Sequence, residues 1–150
     1  MDIVTAQARS KIMSAVRGKG TRLENEFARA LKQRRLGRFT RNPQNLYGHP
    51  DFVFIRPRVA IFLDSCFWHG CRWHCRMPAS NQTYWRAKIE RNRARDRRVT
   101  RRLRQAGWIV LRVWEHQFAH AAKRDNIFRK IQTALDRAAA DATSKRHSSA

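Results

Sequence analysis

Two apolar runs separated by three residues, "DFVFI" (51–55) and "VAIFLD" (59–64), constrain this chain more than any other feature. Both are rich in the β-branched and aromatic residues that suit a pleated surface. The linker "RPR" is too short for the crossover a parallel pair needs, so the runs must form an antiparallel hairpin. That hairpin brings Asp51, at the start of one strand, to the same end as Asp64, at the close of the next. Two carboxylates meeting there can hold Mg²⁺, a hard ion that prefers oxygen ligands and retains several waters. Beside a phosphate, such an ion lowers the pKa of an attacking water and stabilises the phosphoryl oxygens. Asp51 alone would be a turn residue after Pro50. With Asp64, and with His69 five residues further on, the group reads as catalytic, because imidazole titrates near neutral pH.

The flanking sequence predicts helices. Ile12, Met13, Ala15 and Val16 fit a short helix over 6–17, which "GKGT" breaks. Thr21-Arg22-Leu23-Glu24 has the form of a capping box. It opens a helix with Leu23, Phe27, Ala30 and Leu31 on one side, stopping near Leu36-Gly37. Glu24 therefore has two readings, helix cap or acid near the metal. "RNPQNLYGHP" is loop by its Asn, Pro and Gly content. A long helix is expected from Tyr84 to Ala106, a largely buried strand at "GWIVLRVW" (107–114), and a last helix from Ala121 to Ala138. There is no internal repeat. The order predicts an α/β fold, a mixed sheet flanked by helices, as one domain over 1–136. The polar, Ala/Ser-rich tail at 137–150 is expected to fray.

Charge narrows the partner. The chain holds 33 Lys+Arg against 11 Asp+Glu, a formal +22. So large a self-repelling charge calls for a polyanion, since neutralising phosphates releases condensed counterions. Nucleic acid leads and an anionic membrane surface comes second. The longest apolar run, Val59 to Leu63, is far short of the ~20 residues a spanning helix needs. The first residues lack a secretory apolar stretch, so a cytoplasmic protein is expected. Residues 86–104 alone hold ten Lys/Arg against two acids. That helix face, including Lys88, Arg91 and Arg95, is expected to lie along a DNA backbone. One stripe of the same helix holds Trp85, Ile89, Asn92, Asp96, Val99, Leu103 and Ala106. Five belong in a core; Asn92 and Asp96 do not unless they find partners.

All three cysteines fall in "CFWHGCRWHC" (66–75). Cys66-x4-Cys71-x3-Cys75 is neither a CxxC redox pair nor a zinc ribbon, yet thiolates at these spacings can wrap a structural zinc. A fourth ligand is needed, and His116 could cross the fold to supply it. His74 is also close, but it is adjacent to Cys75, where joint ligation of one ion is awkward. Phe67 and Trp68, on so tight a loop, suggest exposed aromatics that stack on or wedge between bases; Trp68 as a core residue is the alternative.

Several stretches together resemble the Vsr (very short patch repair) family of DNA mismatch endonucleases. They are "RSKIMSAV" (9–16), "TRLE", "GHPDFVF", "DSCFWHGC", "YWRAKIERNRARDRR" and "GWIVLRVWEH", which span nearly the whole chain. The resemblance implies a PD-(D/E)xK restriction-endonuclease-like core, catalytic Mg²⁺ and structural zinc. It implies a nick 5′ to the mispaired T of a T:G mismatch in double-stranded DNA. Asp51 would be the essential metal carboxylate with the Leu63 carbonyl nearby, His69 the catalytic histidine, and Glu24 the N-terminal acid. Phe67, Trp68 and Trp85 would wedge into DNA. Cys66, Cys71, Cys75 and His116 would hold zinc, with His74 the alternative to Cys75. There are departures. Asp64 stands where the family also has histidine, which makes it a possible second Mg²⁺ ligand. His116 stands where cysteine is usual, and no lysine follows two residues after Asp64. The implied protein is a bacterial, nucleoid-associated monomer, with accessory mismatch-repair proteins as further candidate partners. Two rivals remain: a Vsr-like nuclease of restriction or phage defence, and a non-catalytic zinc protein that binds nucleic acid.

Overall fold

A computed structural model describes residues 22–148. Helix α1 (22–33) leads to a short strand β1 (Thr40–Arg41), then to β2 (Phe52–Phe54) and β3 (Val59–Asp64). The long helix α2 (Gln82–Gln105) precedes β4 (Ile109–Trp114), the short α3 (Glu115–Ala119) and α4 (Ala121–His147). The four strands form one mixed sheet in the order β1-β2-β3-β4. The hairpin is antiparallel as expected, with Phe52 opposite Ile61 and Phe54 opposite Val59. β3 and β4 run parallel, with Phe62 beside Arg112 and Asp64 beside Trp114. The intervening α2 supplies the length such a crossover requires.

Strand alternation sorts side chains between two cores. Phe52, Phe54, Val59, Ile61 and Val113 pack with Phe27 and Leu31 of α1 and with Phe118, Phe128 and Ile131 of α3 and α4. Ala60, Phe62 and Val110 face the other way, onto Val99 and Leu103 of α2. The same alternation turns Asp64 and Arg112 toward α2. This is the step by which pattern becomes site.

Some expectations shift. The segment at 137–150 does not fray at its start: α4 continues to His147, with Ala138 buried. Alanine has the highest helix propensity, and "RAAADATSKRH" is dense in it. Ala106, the last residue of the α2 stripe, is exposed because the helix ends one residue earlier. β1 was not foreseen. The helix expected over 6–17 and Thr21 of the capping box lie outside the described residues. Among the described residues, no helix is long and apolar enough to cross a membrane.

Candidate active site

The strand ends, α2 and the loop before β2 enclose a cleft of about 820 Å³, whose walls include Asp51, Asp64, His69, Arg95, Asp96 and Arg98. The loop can approach α2 because Gly48, at φ 79°, lacks a side chain; a Cβ there would meet Val99 Cγ1 at 2.2 Å. Gly70 plays the same part for the cysteine loop. At φ 64°, its missing Cβ would stand 2.6 Å from Ile89 Cγ2, so the loop lies directly on α2.

Asp51 accepts a hydrogen bond from the Leu63 amide, N to Oδ2 2.7 Å. Burial pushes its pKa up from 3.8 to about 6, against the stabilising Leu63 amide, with the negative charges of Glu24 and Asp64 adding to the rise. Glu24 thus faces the site, and it also accepts from Asn42 Nδ2 at 3.3 Å. This places it as an acid near Asp51, whichever role it also has at the helix start.

Asp64, expected to share a cation with Asp51, is engaged elsewhere. Both of its oxygens accept from Arg112, at 2.8 Å from Nε and 3.2 Å from Nη2. The fork geometry of guanidinium satisfies the carboxylate, so the buried acid reads first as an ion-pair partner. Asp64 also lies 3.6 Å from His69 Nδ1. The closer partner of that nitrogen is Asp96, whose Oδ2 lies at 2.5 Å. Burial would raise the Asp96 pKa, but the His69 hydrogen bond and the charges of His69, Arg112 and Arg95 outweigh it and hold the group low. An ionised carboxylate can only accept, so Nδ1 carries the hydrogen of this bond, and Nε2 is the nitrogen left to meet a substrate. Asn92, the other misfit of the stripe, donates to the Trp68 carbonyl at 2.9 Å. Both anomalies of the stripe are thereby resolved: each holds the loop that carries His69.

The thiols are free, and the metal-like cluster differs from the expected one in one ligand. Cys66, Cys71, His74 and His116 bring one ligand atom each within 4.8 Å of all the others. Cys75 is left out, its sulfur directed to the Phe67 carbonyl at 3.7 Å. The reason is local: Cys75 N bonds back to Cys71 O, a helical turn that puts His74, not Cys75, beside the Cys71 sulfur. Nδ1 of His116 lies 3.3 Å from Cys66 Sγ and 3.6 Å from Cys71 Sγ, and His74 Nδ1 lies 3.6 Å from Cys71 Sγ. Tetrahedral bonds of about 2.3 Å to sulfur and about 2.05 Å to nitrogen require S–N edges of about 3.6 Å. The three S–N separations lie close to that edge length. Burial pushes the Cys66 thiol up to about 11 and lowers His116, leaving its imidazole neutral.

The aromatic residues form one cluster. Phe67 stacks edge-on to Trp68 and Trp85 at 5.0 and 5.5 Å, and Tyr84 meets Trp85 at 5.2 Å. Lys88 sits over the Trp68 ring at 4.9 Å. Phe67 and Trp68 are half-buried, whereas Trp85 is only 7% exposed and forms the base of the cluster rather than a free wedge. Arg91 and Arg95 are exposed on α2. Trp73, 76% exposed, was not singled out by the sequence reading.

An acid resisting ionisation and a carboxylate-held imidazole, opening on one cleft that Arg95 and Arg98 also line, are the equipment of an enzyme that hydrolyses phosphodiesters. Comparison with known proteins makes this specific. The family described as DNA mismatch endonuclease Vsr matches residues 1–75. A type II nicking enzyme, V.NmeDIP of Neisseria meningitidis serogroup C, is 42% identical over 118 residues, covering 77% of this chain and 79% of the relative. V.NaeI of Lentzea aerocolonigenes, another type II nicking enzyme, is 43% identical, covering 73% and 68% respectively. The DNA mismatch endonuclease Vsr of Escherichia coli (strain K12) is 39% identical over 76% of this chain and 73% of its own length. This chain belongs to the Vsr DNA mismatch endonuclease family and is a DNA endonuclease.

Proposed function

We propose that this protein nicks one strand of duplex DNA 5′ to the mispaired T of a T:G mismatch, using Mg²⁺ and a PD-(D/E)xK-like core stabilised by zinc. The observation that carries the reading is the opening of Asp51 and the Asp96-held His69 onto the same arginine-lined cleft. The oxygens at Asp51 fit a hard divalent cation, because its charge would offset the burial and the neighbouring acids that hold the Asp51 proton on. Asp51 would hold the ion with the Leu63 carbonyl nearby, Glu24 would lie beyond it, and Asp64 would contribute as a second acid only by leaving Arg112. When bound, the ion supplies a lowered water pKa and charge neutralisation at the phosphoryl oxygens. His69 Nε2 handles the proton of the attacking water. Arg95 and Arg98 line the cleft and hold the phosphate. Phe67 and Trp68 enter the base stack, Trp85 supports them from below, and Lys88 with Arg91 neutralises the backbone. Cys66, Cys71, His74 and His116 are the zinc ligands, and the ion fixes the loop that presents His69.

The Neisseria and Lentzea relatives are named as type II nicking enzymes, which favours a second reading, in which the same nicking chemistry serves a different DNA target. The test is to incubate the protein with a duplex holding one T:G mismatch, a matched duplex and a single strand, each with Mg²⁺. Cutting confined to the mismatched duplex is expected. Cutting of the matched duplex alone contradicts the repair reading, and binding of all substrates without cutting contradicts the enzymatic use of this cleft.

A further inference from the structure

We propose that Arg112 is a positioning residue for the reaction, which acts through Asp96 to fix the His69 imidazole. The inference rests on His69 being the group that handles the proton. Arg112 lies in the middle of β4, between Leu111 and Val113, on the face that Val110 and Phe62 fill with apolar groups. A guanidinium in such a place loses much of its hydration, so its donors need partners within the protein. Here they are satisfied by site residues. Nε and Nη2 form the fork on Asp64, Nη2 also lies 3.0 Å from Asp96 Oδ1, and Nη1 donates to Thr100 Oγ1 at 3.1 Å. Phe62 lies under the guanidinium, its ring centroid 4.4 Å from Cζ.

The consequence falls on Asp96. Its Oδ1 is tied to Arg112 and its Oδ2 to His69 Nδ1. A carboxylate anchored at one oxygen can turn about its broad terminal torsion; anchored at both, it holds its plane. Asp96 then presents one fixed acceptor to the imidazole, which sets both the ring plane and the nitrogen that carries hydrogen. Asp64 braces Arg112 through Nε and the shared Nη2, and this gives the buried acid a role that needs no metal. The four side chains of Asp64, His69, Asp96 and Arg112 also line a second cavity, of about 740 Å³, beside the first, so they form the partition between the two spaces. Lysine could not replace Arg112, since a point charge lacks the planar fork that reaches two carboxylates at once.

The experiment measures single-turnover nicking of a T:G duplex and, separately, its dissociation constant, for the full chain and the variants Arg112→Gln, Arg112→Lys, Asp96→Asn and Asp96→Asn/Arg112→Gln. Arg112→Gln should slow nicking about 10–100-fold, the range typical of outer partners of site residues, with DNA affinity unchanged. Arg112→Lys should restore little of the loss. Once Asp96 is replaced, adding Arg112→Gln should slow nicking by less than about twofold, because the two changes break one linkage. Asp64→Asn/Arg112→Gln removes both charges of the ion pair together and guards against misfolding; folded by circular dichroism, it should remain slow. Additive losses, a normal rate in either folded Arg112→Gln variant, or a slowdown matched by lost DNA affinity would overturn the inference. A fully active His69→Ala variant would overturn the reading beneath it. A dead His69→Ala beside a normal Arg112→Gln would overturn the inference alone.

Discussion

Replacing Asp51 with asparagine should stabilise the fold while abolishing cutting, and the size of the effect can be worked from the site. In the folded protein Asp51 titrates near 6 rather than 3.8, chiefly because it is buried. The folded state therefore binds its proton more tightly than the unfolded chain does. Below the unfolded value both states are protonated and there is no penalty. Between the two values the unfolded chain ionises first, and stability falls by about 1.4 kcal/mol per pH unit. Above the folded value the penalty levels off at about 3 kcal/mol. Asparagine is near in shape, keeps an oxygen for the Leu63 amide and carries no charge to desolvate. Thermal melts in Mg²⁺-free buffer should show Asp51→Asn higher by on the order of 5–10 °C at pH 8. At pH 5 the difference should shrink to roughly half. Adding Mg²⁺ should narrow the gap at pH 8, because only the aspartate gains an ion. An Asp51→Asn protein no more stable than the parent at pH 8, or a gap equal at pH 5 and pH 8, would refute the account of Asp51 as an acid held ready for a cation.

Other outcomes follow from the loop and the helix. Gly70→Ala forces a side chain into a left-handed backbone against Ile89, and should cost about 1–3 kcal/mol of stability in denaturant unfolding. Because His69 is adjacent, the folded fraction should nick more slowly at unchanged DNA affinity. Metal analysis should find one zinc per chain in the parent and in Cys75→Ala, but none in His116→Ala or His74→Ala; retention of zinc by His74→Ala would return Cys75 to the cluster. Lys88→Ala should weaken DNA binding and lower the slope of log affinity against log salt by about one, with the nicking rate at saturation little changed.

How far the sequence reaches is clearest in single residues. The hairpin was legible because period-two patterning and a three-residue linker leave one topology. The site was half legible. Asp96 stood out as a charge on an apolar stripe, which required a partner without naming it. Arg112 carried the same signal inside "IVLRVW", an arginine in an apolar run, and went unread because strand composition absorbed it. The pairing of the two depends on the parallel register of β3 and β4, which is set by how α2 crosses and not by any local pattern. The choice of His74 over Cys75 turned on one backbone turn, Cys75 N to Cys71 O, that spacing alone does not specify. Trp85 was assigned both to the core and to DNA; the structure buries it and leaves the loop residues Phe67 and Trp68 half-buried.

The most direct test of the central claim is strand-resolved mapping of the cut. Each strand of a duplex with one T:G mismatch is end-labelled in turn, incubated with the protein and Mg²⁺, and run on a denaturing gel. One product from the T strand, ending at the phosphodiester 5′ to the mispaired T, is expected, with the G strand intact and no product from Asp51→Asn. Cuts in both strands, a cut in the G strand, or full activity of Asp51→Asn would contradict the account.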